Sequence, residues 1–286
     1  MNLSQHHNHQ AYIAALFAVF IWGAFPALMK DALTFTSVDE VLTLRFLVST
    51  LLFLIIIPRT LSKLRQIRVG SLMMFVVASI TVFYSQAYAL SEVPASWYVA
   101  VFTFVPIIFI FISREPLNST GKMGSLIAIA GMCIFFLSMR HMADMTIWHI
   151  VLLIISMLAW VGYSLSTKQL HHHLQDLEIV ALTSLVGLLS SLLIWKAHGF
   201  HPEHIPFSGM VLCLSAGIIL PLALIAYSFS LRFKPVFAVF SQYLEPVIGF
   251  IIAAIFLGES MHFLQYTAAM IVIAGTVLVG MATKSN

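Results

Sequence analysis

Apolar residues run in ten stretches along this chain, each near the roughly 20 residues that a helix needs to cross a hydrocarbon core. They cover residues 11–33, 38–58, 69–90, 93–113, 121–139, 146–167, 178–196, 207–230, 235–257 and 262–282, and the linkers between them are too short for an attached soluble domain. Inside the stretches, polar residues recur at helical spacing. Ser156, Trp160, Tyr163, Ser164 and Thr167 fall at i, i+4, i+7, i+8 and i+11, and Ala238, Ser241, Gln242, Glu245 and Gly249 make a second stripe. In lipid a polar group must find an internal partner or line a wet cavity, so both stripes are expected to look inward. The pattern predicts an all-α integral membrane protein with ten transmembrane helices.

Composition agrees: 60% of residues are hydrophobic, 9% are charged and the mean hydropathy is +1.00, far from a soluble domain of this length. The first apolar run is too long for a signal-peptide core and lacks a basic leader, so it is expected to remain as the first helix. Cys133 and Cys213 fall inside spans and read as buried small apolar residues. Alternating the sides of successive loops puts ten Lys and Arg on one side, Arg59 to Arg68 among them, and only Lys30, Arg140 and Lys196 on the other. The positive-inside rule then predicts both termini in the cytoplasm. The net charge of +3 is on this reading a topological signal, with no nucleic acid implied.

The second five stretches echo the first five. Trp22 and Lys30 return as Trp160 and Lys168, both displaced by 138 residues, and Ala87-Tyr88 returns as Ala226-Tyr227. Pro106 corresponds to Pro246, and Gly131 to Gly275 at a displacement of 144. The halves are residues 1–143 and 144–286, together one transport domain. Because each holds an odd number of spans, the second inserts upside down relative to the first, the architecture of a carrier with a central site.

Ile21-Trp22-Gly23-Ala24 in the first span, Leu44-Arg45-Phe46 in the second, and Leu244-Glu245-Pro246-Val247 leading to Leu257-Gly258-Glu259 in the ninth carry a resemblance. In their order and spacing across the whole chain they resemble the EamA-like family of the drug/metabolite transporter superfamily. That resemblance implies a ten-helix inverted-repeat transporter of small metabolites, frequently an exporter, at home in a bacterial inner membrane. It also makes amino acids or related metabolites the leading substrate class, with cationic drugs next. One departure is Ser113-Arg114-Glu115-Pro116, where the family more often has a glycine before the glutamate.

Candidate solute-binding residues are Trp22, Tyr84, Tyr88, Trp97, Tyr98, Trp160, Tyr163, Tyr227 and Gln242, an aromatic and amide set suited to a solute with apolar bulk and a few hydrogen-bonding groups. Gln86 lies off to the side of the Tyr84 and Tyr88 stripe, and Phe135 reads as lipid-facing. Aromatic packing and interfacial belts are the competing account of the same residues. Glu245 is the costliest residue to insert, since a carboxylate at mid-membrane costs about 3 kcal/mol on insertion scales. It carries a proton for coupling, satisfies groups around Pro246, pairs with a cation, for which Arg45 is the available partner, or contacts the solute directly. Pro26, Pro106, Pro221 and Pro246 are candidate hinges, since a mid-helix proline removes a backbone hydrogen bond.

The histidine clusters His6, His7, His9 and His171-His172-His173 lack a carboxylate or cysteine framework, so no metal and no cofactor are expected. No P-loop is present, no span carries an H-E-x-x-H or paired-Asp motif, and no filter ring suggests a channel. The expected partners are a small-molecule solute, membrane lipid and protons. The function read from the chain is alternating-access transport around a central cavity.

Overall fold

The computed structural model describes residues 3–93, 98, 101–102, 104–138, 146–198, 205–245, 247–249 and 263–282, and among these every regular element is a helix. In chain order they are α1 (Leu3–Leu33), α2 (Val38–Leu52), α3 (Ile57–Lys63), α4 (Val69–Glu92), α5 (Val105–Ser113), α6 (Ser119–Leu137), α7 (Ile147–Leu170), α8 (Asp176–His198), α9 (Phe207–Phe233), α10 (Pro235–Phe240) and α11 (Phe263–Ala282). Ser37 opens α2 with a capping box: its side chain accepts from the Glu40 N–H while the Glu40 carboxylate accepts from the Ser37 N–H. Thr146 and His149 do the same for α7.

Six of these helices are long and apolar enough to cross a membrane, or seven if α2 and the bent element after it count as one broken span. The second stretch, read from sequence as continuous over 38–58, leaves the helix after Leu52 and turns by 88° before Pro58 starts the next one. Proline at the start of a helix is pre-organised for that position, and the residue before it is biased away from helix. The stretch at 93–113 contributes α5 and that at 235–257 contributes α10, which tightens to a 3-10 turn over Ser241–Tyr243. The rest of those two stretches lies outside the described residues.

Neighbours in the bundle follow the internal repeat. Helix α1 packs on α9, α4 on α7, α2 on α8 and α6 on α11. Exchanging the halves turns the first contact into the second and returns each of the last two to itself. The α6–α11 seam runs on small residues: a Cβ at Gly275 would meet the Ala128 N at 2.4 Å, and one at Gly131 would meet the Val272 N at 2.8 Å. Backbones therefore touch there, as glycine allows between membrane helices. Outward, large apolar side chains stand uncovered, Phe111, Ile147 and Phe263 among them. A continuous surface of that kind is stable only against acyl chains.

Two corrections concern single positions. Cys133 is exposed on the outside of the bundle, while Cys213 is buried as expected. Phe135, expected to face lipid, is fully buried.

Polar ties join the helices most densely at one end of the bundle. Lys63 Nζ donates to both oxygens of Glu178 at 2.6 and 2.8 Å, with Arg59 at 3.4 Å, and Lys168 pairs with Glu115. At the same end Ser228 Oγ donates to Asp176 Oδ1 at 3.1 Å, and His171 Nε2 lies 3.1 Å from the Ser228 carbonyl. The other end is held by His198 against Asp39 at 2.9 Å and by Tyr88 donating to Asp39 at 3.4 Å.

Candidate functional site

The inward stripe of α7 is buried along its whole length, from Ser156 through Trp160, Tyr163 and Ser164 to Thr167. Ser156 Oγ donates to Ser85 Oγ of α4 at 2.7 Å, which fixes the register of the α4–α7 pair in the membrane interior. One helical turn on, the Trp160 ring lies face to face with Tyr163 (5.3 Å, 17°) and with Tyr227 of α9 (5.5 Å, 27°). Trp22 of α1 meets Trp160 edge-on at 5.2 Å and 86°. These two tryptophans are the repeat-related pair, and they touch each other. Such contacts are worth about 1 kcal/mol each beyond their buried area.

Hydrogen bonds hold the block in place. Trp160 Nε1 donates to Gln242 Oε1 at 3.1 Å, which draws the start of the ninth stretch against α7. The hydroxyls of Ser164 and Tyr227 lie 2.8 Å apart, and those of Tyr163 and Thr183 lie 3.1 Å apart. All three bonds join elements of the second half, through side chains that would be costly to leave unpaired.

In front of this block lies a cavity of about 50 Å³. A water needs about 10–15 Å³ by this measure, so the space holds a handful of waters and is narrow for an organic solute. Trp22, Pro26, Arg45, Tyr98, Trp160 and Glu245, all singled out from sequence, line it. Tyr163, Tyr227 and Gln242 form the layer behind. Tyr84 and Tyr88 turn away from it: Tyr88 is 39% exposed and bonded to Asp39, with Tyr84 stacked beside it. Trp97 and Pro246 lie outside the described residues. Pro26 and Pro221 stand inside the long helices α1 and α9, and Pro106 stands in the first turn of α5.

Sequence reasoning missed Phe25, Phe83, Gln86, Phe102, Leu220 and Leu224, which complete the lining. Gln86, off to the side of the tyrosine stripe in the sequence pattern, lines the cavity and donates to the Tyr98 hydroxyl. Following the tyrosine hydroxyls selected the face of α4 that carries Tyr84 and Tyr88. The Phe83 and Gln86 pair, three residues apart, marks the face that matters, and an amide within a span was the signal available.

A guanidinium and a carboxyl share this cavity. The Arg45 guanidinium, 5% exposed, lies over the rings of Phe46 (4.6 Å), Phe83 (5.1 Å) and Phe25 (5.9 Å). Both Arg45 and Glu245 line the space, yet no ion pair within 4 Å joins them. Among the described residues no group of His, Cys, Asp and Glu is placed to hold a metal ion. His7 packs against the rings of Phe229 and Phe233, and His171 is tied to Ser228.

No curated protein matches the chain. A crystal structure of a protein 15% identical in sequence superposes with a TM-score of 0.74 over 96% of this chain and 98% of its own, so the two share a fold. The model of the EamA-like transporter family matches residues 9–137 and again residues 147–281, on either side of the α6–α7 connection. With nearly the whole length accounted for by two copies of one family unit, the chain belongs to the EamA-like transporter family.

Proposed function

We propose that this membrane transporter moves small organic solutes, amino acids or related metabolites, outward across a bacterial inner membrane by alternating access about the Trp22–Trp160 cavity. The observation that carries the reading is the meeting of repeat-related tryptophans beside a cavity lined by one buried cation and one half-buried carboxyl. Contacts that map onto one another when the halves are exchanged support two inverted five-helix repeats about an axis in the membrane plane. The narrowness of the cavity, together with the dense ties at the Arg59 end, fits a state in which that end is sealed. Pro26 and Pro221 serve as bending points when it opens. The basic residues around Arg59 support a cytoplasmic side for that end and for both termini.

Glu245 is the proton carrier in this scheme. It sits at mid-membrane without an ion-pair partner, so its charge is costly to maintain and a proton relieves that cost. Reconstituted in liposomes and loaded with a radiolabelled amino acid mixture, the wild-type protein is expected to release solute faster when a proton gradient is imposed. Glu245→Gln is expected to fold, bind and lose that acceleration. Gradient-dependent release that survives in Glu245→Gln removes the coupling role, and absence of any solute movement in the wild type removes amino acids as cargo. Efflux of cationic compounds is the second reading, favoured by a carboxyl among aromatic rings, and opposed by Arg45 in the same space.

A further inference from the structure

Arg45 has no ordinary reason to be where it is. A guanidinium inside a membrane helix is expensive, and it normally pairs with a carboxylate or with backbone carbonyls. Here its head makes no hydrogen bond to any described residue and has no carboxylate within 4 Å, while three phenylalanine rings surround it. Ring faces attract the charge, but they offer its N–H donors no acceptor oxygen. Arg45 lines the cavity that Trp160 and Glu245 also line. A rigid fork of donors in an apolar setting matches one ligand chemistry best, the planar oxyanion of a carboxylate held through two parallel hydrogen bonds.

We infer that Arg45 is the specificity-determining residue of the cavity: it receives the carboxylate of the transported solute, so a solute lacking an anionic group is rejected. The inference rests on the transport reading above and narrows it. The phenylalanine rings around the guanidinium lower the local dielectric, which strengthens its hold on an anion and raises the penalty for a solute that leaves it unpaired. Glu245, on the same cavity and out of ion-pair reach of Arg45, is free to meet a different part of the solute. A permanent cation would share the cavity with the Arg45 guanidinium, and that like-charge repulsion disfavours the cationic-compound reading even with Glu245 beside it.

Three matched probes separate the terms: 3-phenylpropionate, which keeps the carboxylate alone; phenylalanine, which keeps carboxylate and amine; and phenylalaninamide, which keeps the amine and loses the carboxylate. Binding to purified protein is read by quenching of tryptophan fluorescence, and transport by counterflow in liposomes. Wild type is expected to bind the two carboxylates at least about tenfold more tightly than the amide, the scale of a lost charged hydrogen bond. Arg45→Gln is expected to erase that preference, and Arg45→Lys to restore part of it, with thermal melting confirming that both variants are folded. Wild type binding the amide as well as the acids, binding none of the three, or Arg45→Gln keeping the preference, overturns the inference. Carboxylate-selective binding without counterflow upholds the role of Arg45 and overturns the transport reading. Counterflow of all three probes at equal rates does the reverse.

Discussion

Trp160 does two jobs that chemistry can separate. Its ring is the wall of the cavity, and its N–H satisfies Gln242 Oε1. Trp160→Phe keeps most of the ring but leaves that buried oxygen without its donor, at a cost of about 1–3 kcal/mol in stability. Trp160→Ala also removes the wall, and is expected to weaken solute binding by about tenfold or more, while Phe111→Ala on the lipid side leaves binding unchanged; titration of a bound solute distinguishes them. His171 is the residue through which pH reaches the fold. Burial holds its imidazole below the ordinary value, with Asp176 opposing and Arg232 adding to the effect. The unfolded chain, whose histidine titrates near 6.5, therefore takes up the proton first as pH falls, so stability drops on acidification below about 6.5. Melting temperatures between pH 7.5 and 5.5 are expected to fall in wild type and to fall less in His171→Gln. Arg45 and Glu245 were visible in the sequence because charge is costly in lipid, whereas Phe25, Phe83 and Phe102 were not, since phenylalanine is at home there. Which face of α4 looks inward was not visible, since Tyr84 and Phe83 are adjacent and only the neighbour on α7 decides between them.

At the scale of the element, one position explains a departure from the family pattern. Arg114 caps α5 in the left-handed region at φ 52° and ψ 33°, its N–H returning to the Ile110 carbonyl. The family more often has glycine before the glutamate, and glycine adopts this conformation without a Cβ clash. Arg114→Gly is accordingly expected to raise stability by about 1 kcal/mol, read as a higher melting temperature in detergent. The α6–α11 seam predicts the opposite response. A valine at Gly275 would drive its side chain into the backbone at Ala128 and Gly124, where even a Cβ has no room, and Gly275→Val is expected to destabilise by about 1–3 kcal/mol. Hydrophobic runs showed where helices are in the sequence, since length and apolarity are local. The break after Leu52 was hidden because the residues on both sides of it are equally apolar, and only the packing of the bent segment near α8 rewards the turn.

For the whole molecule, the arrangement of charge predicts an orientation that labelling can check. Ser62 lies on α3 at the Arg59 end, and Ser91 is exposed at the far end of α4. In a variant without Cys133 and Cys213, a cysteine at Ser62 is expected to react only from the cytoplasmic side and one at Ser91 only from the opposite side. The reverse pattern inverts the proposed topology. The dense ties at the Arg59 end also predict that neutralising Glu178, which holds Lys63 and Arg59 together, loosens that end, read as increased labelling of a cysteine at Ser166.

What the sequence determined by itself was the solvent and the repeat: the long apolar runs require lipid, and matched residues 138 to 144 positions apart require two related halves. Both are properties of the chain read locally, through hydropathy and spacing. The tertiary structure alone decided that Trp22 meets Trp160, that Gln86 enters the cavity while Tyr84 and Tyr88 leave it, and that Arg45 stays apart from Glu245. These are contacts between helices far apart in the chain. Their rotation about their own axes is set by side chains on a partner helix, and one stripe of residues cannot specify it.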